Sequence, residues 1–501
     1  MLPALWSTLA PVVALQAAWW STVLLARSGH GAAAALPSLA LVVGVTALAR
    51  HRAARLALAA LGALLGAVVD GALRAAGLIA FPANVDAAPA PAFMIALWAA
   101  FAAALPTVTP AVLNVGQRAA ALLAVAGAGG GALAYLGGAS LGAISMRVVD
   151  GVPQGLLAVA LAWAVALPVL ALGARMLSGA AANRRVVSIP AVIAACLLLL
   201  AGAPLWFFAA LVVDAGRSMV ARRWSASTLR VLAFGAVYLA AQVVGLAALA
   251  TASTERTYRI QAAWSAALFA AVRRIFQLTF VVHGIKEANA PGPVIVLVRH
   301  ASIIDTLLPS VLLAPRTKRG VARRLRFVLK HELLADPCLD VAGTRLPNHF
   351  VTRRAHDTAA DLAGLMALAR DLDDDEGVVI FPEGTRATGA KRARALARLE
   401  QEDPARHGRY VRLEHVLPPK LKGVDALLEG APTADVVVLA HRGLDGFATV
   451  ADLWRGTLVR RAVHIALWRV PRAEVPPAGS TRTAFLDAQW ARVDALVGST
   501  S

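Results

Sequence analysis

Negative charge is nearly missing from the stretch before residue 283. Of 30 acidic residues in the 501-residue chain, only Asp70, Asp86, Asp150, Asp214 and Glu255 lie there. A soluble domain mixes charges of both signs at about a quarter of its positions, so this stretch is not an ordinary water-facing domain. Cysteine is scarce too. Cys196 and Cys338 supply neither a disulfide framework nor a zinc pattern. Cys196 stands in an apolar run and reads as a small core residue. The opening MLPALWSTLAPVVALQ lacks a positive n-region, so no cleavable signal is expected. No repeat of fixed period is present.

What is present is apolar: 58% of residues are hydrophobic and the mean hydropathy is +0.65. Runs near the 20 or so residues that cross a bilayer lie at roughly 3–25, 33–49, 54–80, 91–112, 118–142, 154–177, 187–212 and 229–251. RHRAAR (50–55) and RMLSGAAANRR (175–185) are basic and read as cytoplasmic loops. FPANVDAAPAP (81–91) has no Lys or Arg and reads as external. Eight spans starting inside satisfy these three loops and return the chain to the cytoplasm. One loop resists: DAGRSMVARRWSASTLR (214–230) is basic, yet this count places it outside. A hairpin or a different span count would relieve that. Glycines and alanines in AGAGGGALAYLGGASLGA (126–143) suit close helix packing in lipid. Asp70 and Asp150 fall near span ends and read as solvated loop acids.

TERTYRIQAAWSAALFAAVRRIFQLT (254–279) carries Trp264, Phe269 and Phe276 among Arg256, Arg259, Arg273 and Arg274. It reads as an amphipathic helix in the membrane interface. The other 25 acidic residues follow it. There, short β-branched runs at 294–299, 325–330, 377–381, 434–440 and 463–470 alternate with helical patterns at 303–314 and 356–374. That alternation predicts an α/β layer fold. The expected organisation is membrane domain 1–180, two further membrane helices or a hairpin 181–253, interfacial helix 254–282, and an α/β domain 283–501. The formal net charge of +19 is assigned to anionic lipid headgroups and an anionic substrate. Nucleic acid is not expected as a partner. RTKRGVARRLR (316–326) is its best candidate contact, and no aromatic-rich basic sheet motif accompanies it. No metal-ligand cluster is visible.

VLVRHASIIDTLLP (296–309) puts His300 where a buried strand ends and Asp305 five residues on. On one continuous helix the two side chains would point about 140° apart. A break at Ser302, read as an N-cap with Asp305 at N3, brings them together. Asp305 would then hold one ring nitrogen of His300 and leave the other free as a base. IFPEGTRAT (380–388) places Glu383, Gly384, Thr385 and Arg386 after a strand, where α/β folds bind ligands. Arg386 can fork onto a phosphate and Gly384 lets backbone approach closely. Between the two stretches lie Lys330, Arg345, Arg353 and Arg354.

The ordered set His300-x4-Asp305, then Lys330, Pro337, Gly343 and Phe350 to Arg353, then Phe381-Pro-Glu-Gly-Thr-Arg386 resembles the glycerolipid acyltransferases. More narrowly it is similar to 1-acylglycerol-3-phosphate acyltransferases. LEHVLPPKLKGVDALL (413–428) resembles the branch with lysocardiolipin-type enzymes. The resemblance covers roughly 260–480. Residues 1–180 also resemble a bacterial polytopic membrane domain of unknown function, through FMIALWAAFAAALP (93–106) and LAYLGGASLGAISM (133–146). Two departures touch the acceptor pocket: Arg299 stands where Asn is common, and VTR follows Phe350 where Ile-Asp-Arg is frequent.

The resemblance implies a mixed sheet flanked by helices, behind an α-helical polytopic membrane region. It implies acyl transfer from acyl-CoA or acyl carrier protein to the hydroxyl of a lysophospholipid, with no bound cofactor. His300 and Asp305 would be catalytic. Glu383, Gly384, Thr385, Arg386, Arg353 and Lys330 would hold the acceptor phosphate. Backbone N–H groups at the start of the 302–314 helix would receive the oxyanion. Placement in a bacterial cytoplasmic membrane follows, with the catalytic domain on the cytoplasmic side. Other lysolipids, lysocardiolipin or a lyso-aminolipid, are alternative acceptors. A transporter with an acyltransferase-like passenger is the alternative from another class.

Overall fold

The computed structural model describes residues 2–31, 33–85, 89–108, 117–177, 181–222, 224–314, 323–351 and 359–499. Arg353, Arg354, most of the basic run 316–326 and the start of the helix expected at 356 lie outside these residues. The chain divides into two compact units, Met1–Pro190 with Ala250–Ser253, and Ala191–Leu249 with Thr254–Ser501.

The first unit is helical. Its long helices include Leu2–Arg27, Arg52–Ala75, Ala92–Val108, Gln117–Ser140 and Gln154–Met176. Small residues set the packing, as the glycine-rich stretch predicts. A Cβ on Gly66 would lie 2.5 Å from the Trp98 ring, and one on Gly131 only 2.2 Å from the Trp163 ring. The two indoles thereby stack, 4.2 Å apart and 18° from parallel. Asp70 is not a solvated loop acid. It is fully buried within Arg52–Ala75 and accepts hydrogen bonds from Trp98 Nε1 (3.0 Å) and the Tyr135 hydroxyl. A buried carboxylate persists only when its oxygens are bonded. Asp150 is exposed in a turn.

Six described helices are long and apolar enough to cross a membrane, and the protein is an integral membrane protein. The run 187–212 is not one span. It is split between Ala182–Ala201 and Ala203–Ala221, broken at Gly202 with a proline in the first turn of the second helix. Proline suits that position because its missing N–H would be unpaired there anyway. Asp214 is buried, and its carboxylate accepts the backbone N–H groups of Thr228 and Leu229 at 2.9 Å each. It thus caps the helix Ser227–Ala250 and faces the positive end of its dipole.

The second unit is built on a seven-stranded mixed sheet. We number its strands β1 Thr279–His283, β2 Val294–Val298, β3 Arg324–Lys330, β4 His349–Val351, β5 Glu376–Ile380, β6 Asp435–Arg442 and β7 Ala462–Val470. The order is β1-β7-β6-β2-β5-β3-β4, parallel except for the β6–β7 pair. Central β2 reads Val-Ile-Val-Leu-Val and is buried at every position, as a parallel strand covered on both faces must be. Alternation divides its side chains. Ile295 and Leu297 enter a core with Leu427 and Trp490. Val294, Val296 and Val298 enter another with Val272, Phe276 and Leu308.

The amphipathic helix ends at Ile275, and Thr279–His283 is an edge strand, not helix. A left-handed Gln277 makes the break. Part of the apolar face of this helix, with Phe276 just past its end, packs inward. Leu268, Val272 and Phe276 are buried, the last two in the core beneath β2, while Arg259, Arg273 and Arg274 stay exposed.

Candidate active site

Parallel register assembles the site. Leu297 of β2 pairs with Ile380 of β5, so His300 and Glu383, three residues further along each chain, come level. Val298 pairs with Leu439 of β6, which brings His441 level with His300 on the other side. All three lie at carboxyl ends of strands, where the backbone turns outward and frees polar groups for ligands.

After His300 the backbone turns and a short 3₁₀ segment, Asp305–Leu307, leads into Leu308–Leu313. Ser302 does not cap at N3 distance. Its hydroxyl accepts Ile304 N–H at 3.1 Å and donates to Phe447 O at 3.2 Å. Asp305 folds back instead. Oδ1 lies 3.0 Å from His300 Nδ1, and Oδ2 accepts the Ala301 and Ser302 N–H groups at 2.7 Å each. Burial alone would raise this carboxyl. The His300 charge interaction and the hydrogen bonds of His300 and His441 outweigh it and hold Asp305 well below the usual range. Among the described residues, His300 Nε2 has no hydrogen-bond partner. The ring lies 4.6 Å from the Phe381 ring.

His300 lines a cavity of about 490 Å³. Lys330, Gly384, Arg386 and Lys420 line the same cavity, and Trp264, Leu268, Phe276, Phe234 and Leu249 give it an apolar wall. Arg386 donates to Ala448 O; its other guanidinium hydrogens have no partner among the described residues. Gly384 has φ +67, and a Cβ there would lie 3.0 Å from Lys420 Cε. Glycine is therefore required on two counts, left-handed backbone and contact.

Glu383 and Thr385 are not among the residues lining the cavity. Glu383 is buried, with Oε1 accepting Trp490 Nε1 at 3.2 Å. Burial pushes its carboxyl up to about 8, and the Arg299 charge and the Trp490 bond only partly offset that. Glu383 Oε1 thus ties the turn to Trp490. The oxyanion donors expected at 302–304 are also spoken for. Ser302 N–H goes to Asp305, Ile303 N–H to Phe447 O at 3.3 Å, and Ile304 N–H to Ser302 Oγ. Arg353 lies outside the described residues.

Lys420 and His441 have no counterpart among the motif residues, and Arg299, noted above only as a departure, is a structural member of the site. Lys420 enters the cavity from a loop after the 404–410 helix. Arg299, 1% exposed, donates to His441 O (2.9 Å) and His415 O (2.8 Å) and pairs with Asp445. His441 Nε2 lies 3.4 Å from Asp305 Oδ2. Among the described residues no group of three or more His, Cys, Asp or Glu is arranged to hold a metal ion. Cys338 is buried. Burial first, then the Asp336 charge, push its thiol up to about 12, so it is a poor nucleophile.

Residues 279–417 match the acyltransferase family model, and residues 8–169 match a family described as protein of unknown function (DUF2878). No curated protein matches the chain. Among solved structures it is similar to the 1-acyl-sn-glycerophosphate (LPA) acyltransferase PlsC from Thermotoga maritima. That similarity has 13% identity and a TM-score of 0.38, over 55% of this chain and 98% of the other.

Proposed function

From an acyltransferase-superfamily domain fused behind an N-terminal membrane domain of unknown family, we propose an enzyme that acylates a lysophospholipid. The donor is an acyl-CoA or acyl carrier protein thioester. The preferred acceptor is 1-acyl-sn-glycerol-3-phosphate, and the product is phosphatidic acid. One observation carries the reading: a carboxylate-held His300 lines a cavity that also holds Lys330, Arg386 and Lys420 beside an apolar wall. Cations suit a phosphate and the wall suits an acyl chain.

In this reading His300 Nε2 takes the proton of the acceptor hydroxyl, and the alkoxide attacks the thioester carbonyl. The C–S bond breaks as the tetrahedral intermediate collapses, and the imidazolium returns the proton to the leaving thiolate. Asp305 holds Nδ1–H and stabilises the imidazolium. Arg386, with Lys330, Lys420 and Arg353, holds the phosphate. Glu383, Gly384 and Thr385 shape the turn that presents Arg386. The catalytic domain is placed on the cytoplasmic face, where both thioesters occur, and the bilayer delivers the lipids.

The test is a labelled acyl-CoA, or an acyl carrier protein thioester, offered to the detergent-purified protein with a panel of lysolipids. Phosphatidic acid formed from lysophosphatidic acid is expected. Product from lysocardiolipin or a lyso-aminolipid alone would move the acceptor and keep the chemistry. No transfer from either donor would overturn it.

A further inference from the structure

Two imidazoles share the Asp305 carboxylate. His300 Nδ1 lies 3.0 Å from Oδ1, and His441 Nε2 lies 3.4 Å from Oδ2. His441 is fully buried near the end of β6. Its Nε2 also lies 3.2 Å from the Arg299 carbonyl oxygen. A carbonyl and a carboxylate only accept, so Nε2 must carry the hydrogen. The geometry thus sets the tautomer of a side chain for which the reaction has no other use.

The arrangement is reciprocal. His441 donates to Arg299 O, and the Arg299 guanidinium donates back to His441 O at 2.9 Å. Asp445 pairs with Arg299, Phe447 O takes Ser302 Oγ, and Ala448 O takes Arg386. One strap, residues 441–448, therefore touches both motif stretches. Burying a histidine, an arginine and an aspartate together is a poor route to stability, because apolar residues of similar volume do as well or better. Orientation is the better account. Oδ2 already accepts two backbone N–H groups. His441 Nε2–H, bonded to the Arg299 carbonyl and 3.4 Å from Oδ2, backs the carboxylate from the side of β6 and opposes turning of its plane, and that plane aims His300.

Resting on the acyl-transfer reading, we infer that His441 is a positioning residue for the His300–Asp305 pair, acting through its Nε2–H on Asp305 Oδ2 and on the Arg299 carbonyl. It touches no reacting atom. Its loss should misalign the base without disturbing substrate affinity.

The experiment compares His441→Leu, His441→Gln, Asp305→Asn and the Leu/Asn double variant in the full chain, with a thermal melt of each. His441→Leu should lower kcat about tenfold to a hundredfold, as misplacement of a reacting group does. KM for donor and acceptor should stay within about twofold. Glutamine keeps an N–H near the Nε2 position and should restore kcat to within about fivefold of wild type. In the Asp305→Asn background the leucine change should cost less than about threefold, because both act through one carboxylate. Wild-type rates in His441→Leu, an undiminished cost in the double variant, or a glutamine variant as slow as leucine would each overturn the inference. If the leucine variant does not fold, His441→Asn, whose amide stops short of Asp305, replaces it. A nitrogen–proton correlation spectrum of the wild type decides independently of activity. A hydrogen on His441 Nε2 is required, and one on Nδ1 alone overturns the inference. With that hydrogen on Nε2 and no acyl transfer by the wild type, the functional reading fails alone.

Discussion

Asp305→Asn removes the charge and resets the His300 tautomer in one substitution. The carboxylate meets three kinds of donor: His300 at Oδ1 (3.0 Å), and at Oδ2 two backbone N–H groups (2.7 Å each) with His441 at 3.4 Å. Asparagine has one oxygen. If its amide nitrogen faced the two backbone N–H groups, donor would meet donor at a buried site. The oxygen therefore stays on the backbone side and the NH₂ turns to His300. His300 Nδ1 must then accept, so its hydrogen moves to Nε2, and the base is gone. The charge is lost as well. A unit charge about 4 Å from an imidazolium is worth about 4 kcal/mol at an effective dielectric near 20, or about three powers of ten in rate. The two effects overlap. The expected fall in kcat is about a thousandfold to ten-thousandfold, with KM changed by less than about threefold. Transfer of labelled acyl groups under saturating lysolipid reads kcat, and a thermal melt checks the fold. A folded Asn variant retaining more than about a tenth of the wild-type kcat would refute this reasoning, because the wrong tautomer cannot accept a proton at Nε2.

Glu383 provides a pH signature. Its carboxyl is pushed up to about 8 from 4.5, so the stability it supports is complete below pH 4.5 and is lost as pH rises through 8. Glu383→Gln should melt later than wild type at pH 8 and flatten the decline between those limits; an unchanged slope would contradict it. Gly384→Ala forces a left-handed residue, costing about 1–2 kcal/mol, and drives a Cβ to 3.0 Å from Lys420 Cε. A fall in kcat/KM of about tenfold is expected, and an unchanged value would show that the turn is not held there. Direct attack needs no acyl-enzyme. Cys338→Ser should keep kcat within about threefold, and mass spectrometry after incubation with acyl-CoA alone should find Cys338 unmodified. An acylated Cys338 would contradict direct attack.

Strands 294–298, 324–330, 376–380, 435–442 and 462–470 were legible because β-branched runs bounded by turn residues have few other outcomes. Thr279–His283 was not. It follows the amphipathic helix so closely that the apolar pattern runs on, and only the left-handed Gln277 marks the break. The short strand His349–Val351 gives too few residues for a period. In the membrane region Gly202–Ala203–Pro204 carried the signal for a break inside 187–212, but hydropathy averages over it. At the site, the spacing of His300 and Asp305 demanded a bend, and the bend is present. His441 could be found only through register: it becomes a partner of Asp305 because β6 lies beside β2, a long-range fact that no local pattern carries. The surroundings of Glu383 were hidden for the same reason. Its neighbours in sequence face the cavity, while its own side chain turns to Trp490, 107 positions away.

In the proposed function His300 is the base of an acyl transfer to a membrane lysolipid. The most direct measurement gives labelled acyl-CoA and lysophosphatidic acid to purified wild type and His300→Ala in parallel, with melting curves for both. Phosphatidic acid is expected from the wild type, with a loss of at least about a hundredfold in a folded His300→Ala protein. Near-equal turnover by the two proteins would contradict that role.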